Sequence, residues 1–513
     1  MDHHLFYTDR AFRVLLEKLR QNRYGILGTL IAGLLAYGYA FTNKLPNPDD
    51  VFWLFNKGAT LASGRWGLPP LSVLFPDYSM PWIYGIFTLL LLAVAICLIL
   101  KLFHIQNPII QLLLAAIMVT FPSQICTYTY MFTACAYAVA FLLSVGSVAL
   151  LRRGRWPQIL AGFGCLIYSV AIYQAYVSIA ATLLILLLIQ DLLTTNESVP
   201  RLFRRGVGYV LFLAGAMGCY WLITRLLLHA AGTWLGAYAS YALTFTPDTL
   251  LEGIHTAYIA FRDIFLHSYH GLIPTFLSRC VHLVCLLAVT AELVLRAFRG
   301  KDLPRALLLA FLVAVLPLGM NCMFLLFNPD AIHTLVLYSF SGLYILFAIL
   351  LEDWQPNTSK LLTVLRSLVR EGLVVSLLVI TLTNIYIANE SYLYMHLAYE
   401  NTMAVTTTVY AQISARPDYT PDTQVALMGK WSPPEYYEQH FSRLKNLKGT
   451  EAVAPTIYSV ENFWKYYCSF PITMPEKQEL EALYQSEAYL AMPVWPNAGS
   501  VDKIGDIIVV KFS

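Results

Sequence analysis

Charge is scarce in this chain. Of its 513 residues only 13% are Asp, Glu, Lys or Arg, while 58% are hydrophobic and the mean hydropathy is +0.59. A water-soluble domain carries about a quarter charged residues, so a soluble enzyme is excluded. A cysteine framework is lacking as well. Eight of the nine cysteines (Cys97, Cys126, Cys135, Cys165, Cys219, Cys280, Cys285, Cys322) lie in or beside apolar runs, where thiols behave as small hydrophobes. Only Cys468 falls in the hydrophilic tail, which therefore has no internal disulfide. No CxxC or His/Cys cluster points to zinc. A repeat of fixed period is missing too. The net charge of +3 carries little information about partners, and no nucleic acid is expected among them.

What is abundant is uncharged sequence in lengths of about 20 residues, enough to cross a hydrocarbon core of roughly 30 Å as a helix. The pattern predicts a polytopic all-α membrane protein with about eleven spans: 24–42, 82–101, 107–122, 128–150, 157–173, 175–192, 206–228, 276–295, 304–327, 331–351 and 371–389. The third and fourth divide one charge-free stretch, Ile105 to Leu151, at a break near "FPSQ". The fifth and sixth divide another, Trp156 to Gln190, at "YQA" (Tyr173 to Ala175). Gly38-Tyr39-Ala40 has a faint look of a signal-peptidase site. The long apolar run before it and the many spans after it predict an uncleaved first helix instead.

Lys and Arg mark the cytoplasmic side in short loops. With the amino terminus inside, nineteen of the 34 fall on inner segments, among them "RRGR", "RLFRR" and "RAFRGKDLPR", and six fall on outer loops. The remaining nine belong to the tail. This asymmetry puts the tail and the long loops 43–81 and 230–275 outside. The chain then divides into a transmembrane module, 1–390, and a small extracytoplasmic α/β domain, 391–513. In the latter "TQVALMG" and "GDIIVVKF" read as strands, and "PPEYYEQHFSRLKNL" and "PEKQELEALYQSEAYL" as helices. In the second outer loop Thr246 and Pro247 suit a cap and first helical position, followed by a helix along the interface.

The first outer loop carries "NPDD" (Asn47 to Asp50) and "SGRW" (Ser63 to Trp66), "IYQAY" (Ile172 to Tyr176) falls between spans, and the chain ends "MPVWPNAGSVDKIGDIIVVKFS". In this order and spacing the pieces resemble the GT-C glycosyltransferases, and within them the bacterial glucosyltransferase II family, which includes serotype-converting O-antigen glucosyltransferases. The resemblance implies transfer of a hexose, glucose above others, from a polyprenyl-phosphate (undecaprenyl-phosphate) carrier to a surface polysaccharide or glycolipid acceptor. The reaction would take place at the outer face of a bacterial cytoplasmic membrane, with inversion at the anomeric carbon. It also implies no cofactor, since the leaving group is a single phosphate, with a divalent cation left open.

The residues allow that chemistry in their own right. Transfer from a lipid phosphate needs a base for the acceptor hydroxyl and donors for the departing phosphate. Asp49 is expected as the base and Asp50 as its helper, with the reverse assignment open, and capping of a loop helix by "NPDD" is the structural alternative. Arg65 suits a phosphate, or an ion pair with one of the aspartates. Arg262, His267 and His270 are further candidates for the donor phosphate, or lipid-headgroup contacts. Trp66, Tyr173 and Gln174 are expected to wall the donor site, the last two at a break tolerated at membrane depth only where it is buried or lines a cavity. Two other functions fit less well. A transporter or flippase of lipid-linked sugars would put ionisable groups at mid-membrane and show repeated halves. A polymerase or ligase would rest on outer-loop arginines.

Overall fold

In a computed structural model the described residues are 7–55, 60–76, 78–236, 247–267, 275–299, 302–325, 327–328, 332–354, 360–431, 435–444, 447–450, 453–454 and 458–513. Among them eight helices are long and apolar enough to cross a membrane, and a bent pair, Pro108–Val119 with Pro122–Thr129, brings the number to nine when taken as one span. Two shorter apolar helices, Trp156–Ile172 and Tyr338–Glu352, accompany them. The protein is membrane-embedded and polytopic.

Proline sets many of the helix starts. Pro48, Pro81, Pro108 and Pro122 all occupy the first turn, where a missing N–H costs nothing. At "FPSQ" the same property breaks the chain, and the two halves meet at 47°. Helix Trp156–Ile172 ends at Tyr173, a 3₁₀ turn takes Gln174–Tyr176, and a new helix runs Val177–Thr194. This is the break expected at "YQA".

Small residues fix the first span. Helix Arg23–Thr42 presents Gly25, Gly28, Ala32, Gly33, Ala36 and Ala40 as buried positions. A Cβ on Gly28 would stand 2.4 Å from the Leu112 carbonyl oxygen, and one on Gly33 2.3 Å from a Leu89 methyl. Such close approach is how helices associate where lipid supplies no hydrophobic drive. It pins the span from which the first loop departs.

Four elements differ from expectation. The stretch at "FPSQ", expected as the gap between two spans, is the helix Pro122–Thr129, and the next span starts at Met131. Ahead of the first span, Tyr7–Gln21 is a separate helix with Phe12, Leu15, Leu16 and Leu19 exposed, the composition of a helix lying in the interface. The segment expected as a span over 331–351 begins with 3₁₀ turns, and its α-helix covers only Gly342–Glu352. The last span does not stop at 389. One helix of 55 residues, Lys360–Ser414, is about 80 Å long at 1.5 Å per residue, far more than a bilayer core needs. It continues because Tyr392, Met395, Ala398, Thr402, Val405, Val409 and Ile413 recur at helical spacing and are all buried.

The end of that helix becomes part of the tail's core. Val405, Val409 and Ile413 pack with Val425, Leu427, Trp464, Ile508 and Val510. The tail's three strands, β1 (Val425–Met428), β2 (Val501–Ile504) and β3 (Ile507–Lys511), form one sheet in the order β1-β3-β2. β1 and β3 are parallel, β2 and β3 antiparallel. β3 is central, and Ile508, Val509 and Val510 are fully buried. The polar "VDKI" of β2 carries no alternation that marks it as a strand. It pairs because the turn at Gly505 (φ +61°) folds it back on β3.

Candidate active site

The first loop leaves the membrane span at Asn43 and turns at once into a short helix, Pro48–Phe52. Asn47 caps it, its side-chain oxygen accepting from the Asp50 N–H at 2.8 Å, with Pro48 first and both aspartates in the first turn. The Asn47 amide in turn donates to the Thr129 carbonyl at 2.8 Å, tying the helix to the entrance of span Met131–Arg152. Capping is thus real, and it fixes the directions of the two carboxylates. Successive helical residues diverge by about 100°.

Asp50 points inward. It is 4% exposed, its Oδ2 accepts from Lys44 Nζ at 2.8 Å, and the Ser79 hydroxyl donates to its Oδ1. Lys44 lies at the start of the loop and Ser79 near its end, so one carboxylate draws both strands of the loop together. Tyr128, Tyr392 and Met131 line a small cleft beside it. Asp49 points the other way and is half-buried. Its Oδ1 accepts from the hydroxyl of Tyr458, in the tail. Asn462, one helical turn on, donates to the Phe52 carbonyl at 2.9 Å. Nearby, burial pushes the Tyr467 hydroxyl up from its ordinary range, and the negative charge of Asp50 adds to the effect. The tail therefore closes directly over the acidic helix. Tyr458 and Asn462 have no signal in the sequence, because nothing in the tail's own pattern connects it to residue 49.

A second cluster lies around the same span. The Arg65 guanidinium stands 4.7 Å from the centre of the Tyr173 ring, and its Nη1 is 3.4 Å from the Tyr137 hydroxyl. Tyr137 and Tyr173 are stacked at 4.5 Å. Gln174 Nε2 donates to the Ser63 carbonyl and to the Tyr220 hydroxyl, both at 2.9 Å, and Tyr220 donates to the Gly64 carbonyl at 3.0 Å. Trp66 donates to Thr224 Oγ1 at 3.0 Å and stacks with Tyr220. Gly64 has φ +71°, and a Cβ there would meet the Tyr220 oxygen at 2.6 Å. "SGRW" and "IYQAY", more than a hundred residues apart, are thus one structure. Gln174 and Trp66 hold the loop in place, while Arg65 lies against an aromatic face. Tyr137 and Tyr220 belong to this cluster and lack any motif in the sequence.

Six residues of helix separate Met131 from Tyr137, about 9 Å along the axis. Tyr137, which the arginine contacts, accordingly lies about two turns further into span Met131–Arg152 than Met131, which lines the cleft beside Asp50.

The second long loop behaves differently. Helix Pro247–Leu266 forms as expected. Arg262, however, is 62% exposed and pairs with its neighbour Asp263 at 2.6 Å. His267 is exposed just beyond the helix end. Among the described residues no contact joins either to the Asp49 or Arg65 groups, and His270 lies outside the described residues.

Residues 38–349, more than half of the chain, match the model of a family described as Glucosyl transferase GtrII. The match takes in Asp49, Asp50, Arg65, Trp66, Tyr173 and Gln174 and ends ahead of Tyr458. No curated protein and no solved structure matches the chain.

Proposed function

The chain belongs to the Glucosyl transferase GtrII family, and from that premise we propose that it moves a hexose, glucose above others, from a polyprenyl-phosphate carrier to a glycan acceptor at the outer face of the bacterial cytoplasmic membrane. The observation that carries this reading is that an acidic helix at the entrance of span Met131–Arg152 and an arginine–aromatic cluster at its Tyr137 are both anchored on one membrane span. The spacing of about two helical turns suits a donor whose phosphate sits lower than its sugar.

Asp49 is the base in this reading. Its carboxylate is half-buried and accepts from a tyrosine hydroxyl, whereas Asp50 is buried and engaged by Lys44 and Ser79. Asp49 takes the proton of the acceptor hydroxyl as that oxygen bonds to the anomeric carbon. On the opposite side the bond from carbon to phosphate oxygen breaks, and its electron pair leaves with the polyprenyl phosphate. One displacement of this kind inverts the anomeric centre. Arg65 meets the charge that develops on the phosphate. The guanidinium is well suited to that, being planar and already oriented by the Tyr173 ring. Asp50 acts through the loop, holding Lys44 and Ser79 so that Asp49 is presented at the correct height.

The test is a transfer assay with the purified protein in detergent, synthetic polyprenyl-phosphate glucose and cell-envelope glycans. Glucosylated acceptor and free polyprenyl phosphate in equal amounts support the reading. Intact lipid-linked sugar moved between leaflets with no carrier released would replace it with a transporter.

A further inference from the structure

At the other end of span Met131–Arg152, about 30 Å from the acidic helix, the chain forms an open cavity of about 570 Å³ where the ends of five helices converge. Arg152 pairs there with Asp191 at 2.5 Å, and the next residue, Leu192, lines the cavity. Leu193, Ala306 and Leu309 give it an apolar side. Its charged lining is unusual in how it is shared out. Glu292, 3% exposed, accepts from both Arg296 (2.8 Å) and Arg366 (2.6 Å), and Arg296 also holds Asp353 at 2.7 Å. Asp302 caps helix Leu303–Met320 by accepting from the Arg305 N–H.

Of the cavity's arginines, Arg305 has no carboxylate partner among the described residues, and Arg366 shares Glu292 with Arg296. The Arg305 guanidinium donates to main-chain carbonyls of Leu192, Thr195 and Glu197 at 2.5 to 2.8 Å. Arg366 spends one nitrogen on Glu292, and its Nε and Nη1 are buried without an acceptor among the described residues. The Trp354 ring, 5.2 Å away, holds that guanidinium in place. Buried donors are normally satisfied, so two on one cavity-lining arginine call for an acceptor that enters from outside the chain.

We propose that this cavity binds a phosphate group, with Arg366 and Arg305 as its donors. Phosphate matches guanidinium in charge and geometry. On the sidedness read from Lys and Arg this end faces the cytoplasm, where anionic lipid headgroups lie at the depth of the helix ends and an apolar wall accommodates their acyl chains. Free inorganic phosphate would offer the same chemistry.

Native mass spectrometry of the intact protein in neutral detergent separates the two sources and needs no sugar donor. Wild type is titrated with phosphatidylglycerol, phosphatidylcholine and inorganic phosphate, beside R366Q and R305Q. The expectation is one tightly retained phosphatidylglycerol, with binding weakened about tenfold in each variant, the loss of one charged hydrogen bond. Displacement of that lipid by inorganic phosphate identifies the phosphate alone as the ligand; its retention identifies the lipid headgroup. Should R366Q fail to fold, R305Q, whose partners are main-chain carbonyls, decides the matter. Equal retention of the two lipids with no phosphate bound, or unchanged binding in R305Q, overturns the proposal.

Discussion

The hydroxyl of Tyr458 donates a hydrogen bond to Oδ1 of Asp49 across 409 positions of sequence. A residue of the tail thus orients a carboxylate of the first loop, and the two parts of the chain share one site. Tyr458→Phe removes that bond and leaves the ring, which packs edge-on against Phe52 at 5.5 Å. Glucosyl transfer should fall by about tenfold or more, the usual loss for a hydrogen bond to a charged group, with the melting temperature nearly unchanged. Initial rates and thermal melts in detergent check both halves.

Asp50 and Lys44 are expected to behave as a structural unit. Asp50→Asn leaves Lys44, which is about a third exposed, without its anion, and losing such a charged hydrogen bond costs about 1–3 kcal/mol. The melting temperature should drop by several degrees. Lys44→Met combined with Asp50→Asn should recover part of the loss, and a double-mutant cycle measures the coupling, expected at about 1–3 kcal/mol.

Arg65 separates the phosphate role from loop packing. Arg65→Lys keeps a charge but loses the planar stack on Tyr173, so transfer should fall about 10- to 100-fold, with kcat lowered and KM for the lipid donor raised. Gly64→Ala forces a side chain into a left-handed backbone position against Tyr220. It should destabilise the loop by about 1–3 kcal/mol and lower transfer without a selective effect on the donor. Donor titrations distinguish the two. If Arg65→Ala abolished activity while both aspartate variants stayed active, a polymerase or ligase reading would take over.

How much of this was legible in the sequence depended on range. Proline and the capping asparagine are local signals, so "NPDD" and the break at "FPSQ" could be read directly. The break at "YQA" was legible because a charge-free run was too long for one crossing. Pairing across the chain was not legible. Nothing in "TIYSV" indicates that Tyr458 reaches Asp49, and Tyr137 looks like any aromatic in an apolar helix. The continuation of the last span to Ser414 was missed because Glu390 looked like an ending. In the structure that carboxylate pairs with Arg443 at 2.5 Å, and the helix carries on. Arg262 shows the converse: its charge was plain to see, but its pairing with Asp263 next to it was not.

Cys468 offers a probe of the tail. Its thiol is half-buried, and burial pushes it up to about 11. Only the thiolate alkylates, so at pH 8 the reaction should be slow and should quicken about tenfold per pH unit until near 11. Labelling of a variant that retains Cys468 as its single cysteine, followed by mass spectrometry across pH, checks this. The Cys468 sulfur lies 3.7 Å from that of Met403 on the long helix, and fast labelling at pH 7 would mean the tail is not packed there.

The central claim is that Asp49 removes the acceptor's proton. Its most direct test is the single-turnover rate of Asp49→Asn with saturating polyprenyl-phosphate glucose and acceptor. The account predicts a loss of about 100- to 10,000-fold, the usual worth of a general base, with folding and donor binding intact. A variant that transfers glucose at the wild-type rate would contradict it.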